Sequence, residues 1–233
     1  MTVMPATKPR WQFKGPEMEG VVARWYAKVR SSEPQIAEYR RQALQLTESL
    51  PVGAKVLEVA PGPGHLAIEM ARLGRVQVTG LDISRTFVQI ASEHAREAGV
   101  EVDFQQGDAA VMPFEADSFD LIVCQAAFKN FVHPDSALDE MHRVLRSSGT
   151  AVIQDMSNDA SHAGIELEVK KMKLGWFSSF TTKATLESLR RRAYTPRQFE
   201  RLVVESAFRT CTIQTEGIGL EVRLTKQKGP EPS

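Results

Sequence analysis

Cysteine is nearly absent from the chain, which carries Cys124 and Cys211 alone in 233 residues. Two thiols are too few for a disulfide framework or a structural zinc site, and both read as core residues. No run of about 18 apolar residues occurs, so no segment reads as a membrane-spanning helix. Net charge is missing too: Lys plus Arg and Asp plus Glu both number 29. A protein that wraps a polyanion carries excess basic charge, so nucleic acid is disfavoured as the partner. The start, Met1-Thr2-Val3-Met4-Pro5, lacks the basic-then-apolar pattern of a secretory signal, and the expected location is the cytoplasm. No internal repeat and no His, Cys or carboxylate pair at metal-ligand spacing is found, so no metal is expected.

What remains is an ordinary globular composition, 42% hydrophobic and 25% charged, with enough length to bury a sizeable core. The first 16 residues carry Pro5, Pro9 and Pro16 and read as a loose arm. Residues 17–30 and 34–50 read as helices, the second with Ile36, Tyr39, Ala43, Leu46 and Leu50 at helical spacing. The period then changes to short strands over 55–59, 76–81, 100–105, 119–124 and 150–154. Helices are predicted between several of them: 65–73, one from Ser84 to Ala98, and 134–147. Gly74, Gly99 and Gly149 close these helices, and Ser84 and Pro134 open two of them. Strands that alternate with helices imply right-handed crossovers and a parallel sheet covered on both faces. Residues 156–194 read as an irregular, partly helical insertion. A helix from Thr195-Pro196 and a hairpin around Glu216-Gly217-Ile218-Gly219 follow. The tail Lys226–Ser233 reads as disordered. The expectation is an α/β, doubly wound, seven-stranded and mostly parallel sheet with a C-terminal antiparallel hairpin and a helical lid. Its parts are 1–50, an arm with helices; 51–155, the ligand-binding core; 156–194, the lid; and 195–226, which completes the same domain.

The strongest chemical signal is Glu58-Val59-Ala60-Pro61-Gly62-Pro63-Gly64, between the first strand and its helix. A turn without side chains lets a ligand approach the backbone, and helix N-terminal amides point at it. Gly62-Pro63-Gly64-His65-Leu66-Ala67 also satisfies the dinucleotide fingerprint G-x-G-x-x-A. Asp82, which closes the second strand, suits the ribose diol of any adenosine ligand. Three features separate the candidates. A carboxylate at Glu58 would repel a pyrophosphate and suits a ligand with a cationic amino group. Asp108, after the third strand, is placed to accept from an adenine amino group. The chain ends in a hairpin rather than in a second catalytic domain.

These pieces resemble the class I S-adenosylmethionine-dependent methyltransferases, in the branch that modifies small molecules. The resemblance covers about residues 53–155. It rests on Val56 to Gly64, on Gly80-Leu81-Asp82-Ile83-Ser84, and on Gly107-Asp108-Ala109 with Met112-Pro113-Phe114. Ser118 to Gln125 and Ala137 to Gly149 complete it. It implies S-adenosyl-L-methionine as cofactor. Glu58 with the turn Ala60, Pro61, Gly62 and Gly64 would hold the methionine part, and Asp82 the ribose hydroxyls. Ile83 would pack on adenine, and Asp108 with Ala109 would meet its edge. Gln125 lies where the fourth strand passes the cofactor, and Tyr26 closes over it from the N-terminal helix. Ala60 departs from the family pattern by replacing its first glycine.

After the fourth strand the family often shows a histidine-containing stretch; here it is Ala126-Ala127-Phe128-Lys129-Asn130-Phe131, so no catalytic base is assigned. His65, His94 and His142 read as packing or surface residues. The acceptor is expected at the carboxyl edge of the sheet, against Phe128, Phe131, His133, Met156, Trp176, Phe177 and Phe180. Lys129 would be available to an anionic or phenolic group. A small, hydrophobic or aromatic acceptor fits such a pocket. Acidic residues crowd into 91–120 and basic ones into 170–201. The basic part reads either as a solvated helix face or as a cap that touches an anionic partner or a membrane surface. Two other functional classes stay open: an NAD-type oxidoreductase and a noncatalytic S-adenosylmethionine-binding protein. The oligomeric state is not legible.

Overall fold

The computed structural model describes residues 18–171 and 176–228, and gives the backbone alone for residues 171 and 176–181. The expected arm over 1–16 and the tail from 229 lie outside the described residues. Two helices come first, α1 (Gly20–Arg30) and α2 (Glu33–Thr47). The alternating section follows as β1 (Ala54–Val59), α3 (His65–Arg72), β2 (Val76–Asp82), α4 (Arg85–Ala98) and β3 (Asp103–Gln106). It continues through β4 (Phe119–Gln125), α5 (Pro134–Val144) and β5 (Leu145–Met156). The last section holds α6 (His162–Lys171), α7 (Trp176–Arg190), α8 (Pro196–Glu205), β6 (Thr212–Glu216) and β7 (Gly219–Thr225).

All seven strands join one sheet in the order β3-β2-β1-β4-β5-β7-β6. The first five run parallel, and β7 lies antiparallel to both β5 and β6. This is the expected doubly wound sheet, and its strand order reverses between β1 and β4. Side chains alternate along each strand and feed two cores. Leu57, Ile122, Cys124, Ile153 and Val222 pack with Leu138, Met141 and Phe199 from α5 and α8. Val56, Val78, Leu121, Val123 and Val152 pack with Ala43, Leu46, Leu66 and Met70 from α2 and α3. Each fully buried aliphatic side chain of this kind contributes about 1.5–3 kcal/mol relative to exposure.

Local signals set the helix ends. The Ser84 hydroxyl accepts from the Phe87 amide at 3.1 Å and caps α4, and Gly99 stops it at φ 67°. Thr195 and Gln198 form a reciprocal capping box at α8. The helix expected over 134–147 ends at Val144, because Leu145 takes an extended conformation. Leu145 is fully buried and pairs with Phe119, so β5 starts there rather than at Thr150. The expected strand 100–105 shortens to Asp103–Gln106, the four residues that pair with β2. Among the described residues the insertion holds two helices, α6 and α7, and its base is pinned. Asn158 donates from Nδ2 to the Arg190 carbonyl at 2.7 Å, and the Ser157 amide donates to the Ile218 carbonyl at 2.9 Å.

Candidate active site

The strand reversal between β1 and β4 opens the crevice where such sheets bind ligands. Glu58, the 60–64 turn, Asp82, Ile83 and Gln125 lie at the carboxyl ends of β1, β2 and β4, whereas Asp108 and Ala109 follow β3 and Tyr26 belongs to α1. In the turn after β1, residues with positive φ alternate with prolines: Ala60 at 56°, Gly62 at 54° and Gly64 at 80°. Proline holds φ near −65°, so Pro61 and Pro63 fix the intervening steps and the turn is rigid. A Cβ on Gly64 would lie 2.8 Å from the Ala91 Cβ, whereas one on Gly62 would meet nothing within 4 Å. Gly64 therefore serves close packing of the turn on α4, and Gly62 borders open space. Ala60 sits in the left-handed region without being glycine, at a cost of roughly 1–2 kcal/mol.

Glu58, next to the last residue of β1, is 3% exposed. Burial pushes its carboxyl up to about 8, against the Ala67 backbone hydrogen bond that favours the charged form; nearby Asp82 adds to the rise. Its Oε2 is buried and has no hydrogen-bond partner among the described residues. Asp82, 5% exposed, is raised by burial to about 6. Its Oδ1 accepts from the Ser84 amide at 2.8 Å and its Oδ2 from the Gly62 amide at 3.0 Å. Asp82 thus ties the turn after β1 to the end of β2, a task its sequence position did not reveal. Asp108 closes a local turn by accepting from the Ala110 amide at 2.9 Å, with Ala109 half-buried beside it. Ile83 is half-buried directly after Asp82.

The helices α1 and α2 bring aromatic and cationic groups to the same end. The ring of Tyr26 meets Phe87 edge-on at 5.9 Å, so its position over α4 is fixed by packing. Arg30 donates to the Tyr39 hydroxyl at 2.5 Å, and its guanidinium lies 6.0 Å from the Tyr26 ring and 5.6 Å from the Tyr39 ring. His65, the first residue of α3, stacks on His94 with centroids 5.2 Å apart. Burial, then the neighbouring His94 and Arg30, lower its imidazole to about 4. Sequence reading missed this cluster, since Tyr39 fits a helical packing line and Arg30 belongs to no motif.

Gln125 ends β4 inside a chain of amides. Its Nε2 donates to the Gln42 Oε1 at 2.8 Å and to the Gln154 Oε1 at 3.1 Å. Gln42 donates in turn to Glu38 at 2.7 Å, and Gln154 to Glu221 at 2.8 Å. Four elements are joined in this way across the carboxyl edge of the sheet.

On the acceptor side the structure corrects two expectations. Phe128 is fully buried, with ring centroids 5.2 Å from Phe131, 5.9 Å from Tyr194 and 5.0 Å from Phe199. It is a core residue and presents no surface to an acceptor. Lys129 is not available to an anion. Its Nζ bonds Asp155 Oδ1 at 2.7 Å and the Ala126 carbonyl at 2.5 Å, and the side chains of the ion pair are 4% and 5% exposed. Asp155 also accepts from the amides of Lys129 and Met156, at 3.0 and 2.8 Å. Sequence reading missed Asp155, although an acid ending a parallel strand is the same signal that singled out Asp82. Phe131 and Met156 are half-buried and His133 is exposed at the start of α5. Trp176, Phe177 and Phe180 belong to α7, but their side chains lie outside the described residues.

A rigid glycine turn, a buried carboxyl with an unpartnered oxygen and a second acid closing β2 define a binder of an adenosyl ligand that bears a cation. The family described as a methyltransferase domain matches residues 51–197, more than half of the chain, and the chain belongs to that family. It is similar to the uncharacterized methyltransferase YcgJ of Bacillus subtilis, 38% identical over 102 residues, which is 43% of this chain and 40% of the relative. It is 34% identical over 117 residues to a demethylmenaquinone methyltransferase of Thermus thermophilus, covering 49% of this chain and 52% of that protein. The chain thus spans about half the length of these relatives. A solved S-adenosylmethionine-dependent methyltransferase from Aquifex aeolicus shares the fold, with a TM-score of 0.67 at 15% identity, over 87% of this chain and 97% of that one. S-adenosyl-L-methionine fits the residues present: the lone Glu58 oxygen suits its ammonium group, and the space beside Gly62 admits the ligand to the backbone.

Proposed function

We propose that this protein transfers a methyl group from S-adenosyl-L-methionine to a nucleophilic atom of a small hydrophobic or aromatic acceptor. The observation that carries the reading is the buried, unpartnered oxygen of Glu58 beside the Gly62 turn. A pyrophosphate offers this buried acid no cation to pair with, which disfavours the NAD alternative. Bound at this site, the cofactor supplies an already activated methyl group. Glu58 and the 60–64 turn hold its amino-acid end, Asp82 its ribose, and Ile83, Asp108 and Ala109 its base. Gln125 and Tyr26 flank it. The chain's remaining task is to align the acceptor and keep water out. Phe131, His133 and Met156 border the acceptor side, and the α6–α7 pair over 156–194 acts as the lid, bringing Trp176, Phe177 and Phe180. Lys129 is held by Asp155, and neither residue is assigned as a base. An apolar acceptor agrees with the named activity of the Thermus thermophilus relative, a demethylmenaquinone methyltransferase. The zero net charge disfavours nucleic acid in that place.

Calorimetric titration tests the cofactor part. S-adenosyl-L-methionine and S-adenosyl-L-homocysteine should both bind in the micromolar range, and NAD should not. Binding of NAD alone would overturn the reading. Transfer of labelled methyl to a panel of quinols and phenols tests the rest; cofactor binding with no turnover on any acceptor would favour the noncatalytic alternative.

A further inference from the structure

Helix α1 carries apolar residues on two opposite faces. At about 100° per residue, Ala23 and Ala27 share one face and are buried against Phe87 and Ile90 of α4. Val21, Val22, Trp25 and Val29 fall within an arc of about 100° on the other, and it is open to solvent: Val21 is 82% exposed, Trp25 64% and Val29 50%. Arg24 and Lys28, both exposed, stand on one shoulder of this arc. Tyr26 and Arg30 stand on the other, toward Tyr39 and the site. The helix is firmly attached. Glu19, just before it, accepts from the Arg85 and Thr86 amides at 2.8 and 3.1 Å, and the Gly20 amide donates to the Thr86 hydroxyl at 3.0 Å. The stripe is a fixed surface of the molecule.

We propose that this face of α1 docks on an anionic lipid bilayer. The helix has three basic residues, Arg24, Lys28 and Arg30, and no acid, which complements a negatively charged headgroup layer. Valines beside an exposed tryptophan match the depth at which such helices lie, and tryptophan favours the membrane–water interface. Exposed Arg24 and Lys28 on the shoulder can carry their charges to the headgroups while their stems cover apolar surface. A second copy of the chain is a poorer occupant. The 11 residues of α1 span about 16 Å, and four apolar side chains on that length fall short of the roughly 800 Å² per partner of a stable interface. Antiparallel pairing of two such helices would also bring the Arg24 and Lys28 charges together. The docking surface goes beyond the methyl-transfer reading and does not depend on it.

The test uses the full chain without cofactor or acceptor, so its failure leaves that reading untouched. Replacing Trp11 and Trp176 by Phe leaves Trp25 as the single indole. Mixed phosphatidylcholine–phosphatidylglycerol vesicles should shift its emission to the blue and carry the protein down on sedimentation. Binding to pure phosphatidylcholine should be about tenfold weaker or less, and salt should weaken binding to the mixed vesicles. Val21→Ser with Val29→Ser, and separately Arg24→Gln with Lys28→Gln, should each reduce vesicle binding about tenfold, with an unchanged unfolding transition. Absence of vesicle binding overturns the proposal. So does a concentration-dependent dimer that Val29→Ser dissociates, which would assign the face to a second copy. Binding that appears only after removal of residues 1–17 would assign it to that segment, with the same consequence.

Discussion

Two buried carboxyl groups stand at the carboxyl ends of parallel strands on either side of β4, and they are treated in opposite ways. Asp155 on β5 has its own cation, Lys129, and accepts two backbone amides besides. Glu58 on β1 has an oxygen with no partner among the described residues, and burial holds the group near 8. The first arrangement is complete within the chain and fixes the turn after β4. The second leaves room for a cation. Of two similar acids, the incomplete one carries the proposed cofactor site.

Breaking the complete pair should have the largest effect. Lys129→Met leaves Asp155 buried with its two backbone amides but no cation and should cost about 3–5 kcal/mol, lowering Tm by roughly 10 °C for a domain of this size. The double variant Lys129→Met with Asp155→Leu should regain most of that loss. A single variant with unchanged Tm would show that the pair is dispensable.

Altering the incomplete group should act in the opposite direction on stability. The folded-state value of Glu58, about 8, lies above its ordinary 4.5. Its contribution is therefore fully present below the unfolded value and is lost as pH rises through about 8. Glu58→Gln removes that loss and should stabilise the cofactor-free protein at pH 8 by up to about 4 kcal/mol. The same variant should bind S-adenosyl-L-methionine at least about tenfold more weakly, because the ammonium loses a charge-assisted partner. In the unaltered protein, binding below pH 8 must release a proton from Glu58, so affinity should rise with pH up to that value. Calorimetry in two buffers of different ionisation enthalpy measures the release; none at pH 7 would place the cation elsewhere.

The smallest effect sharpens the comparison at the turn itself. Ala60→Gly relieves a left-handed residue worth about 1–2 kcal/mol but adds about 0.4–1 kcal/mol of unfolded-state entropy. A net gain near 0.5 kcal/mol is expected by chemical denaturation. A loss would mean that the Ala60 methyl packs usefully.

The turn after β1 and the acid closing β2 were legible because their signals are local. Glu58, the glycines and Asp82 lie within one strand–turn–helix–strand unit, and strand alternation placed them on one edge. The acceptor half was not, because its outcome depends on contacts distant in sequence. Lys129 meets an acid 26 residues away, and Phe128 meets Phe199 from α8. A lysine and a phenylalanine in a loop carry no local sign of such partners. The left-handed Ala60 was half visible: its departure from glycine was plain, the conformation it must adopt was not.

The amide chain through Gln125 shows how a surface can set the polarity of an interior. A glutamine amide can turn over and exchange its donor for its acceptor at little cost. Here Glu38 at one end and Glu221 at the other can only accept, so Gln42 and Gln154 must present nitrogen outward and oxygen inward. Both oxygens converge on the Gln125 nitrogen and engage both of its hydrogens. Among the described residues the Gln125 side chain keeps its oxygen uncommitted, so the fourth strand ends in a hydrogen-bond acceptor whose sense is dictated by two distant carboxylates, Glu38 and Glu221.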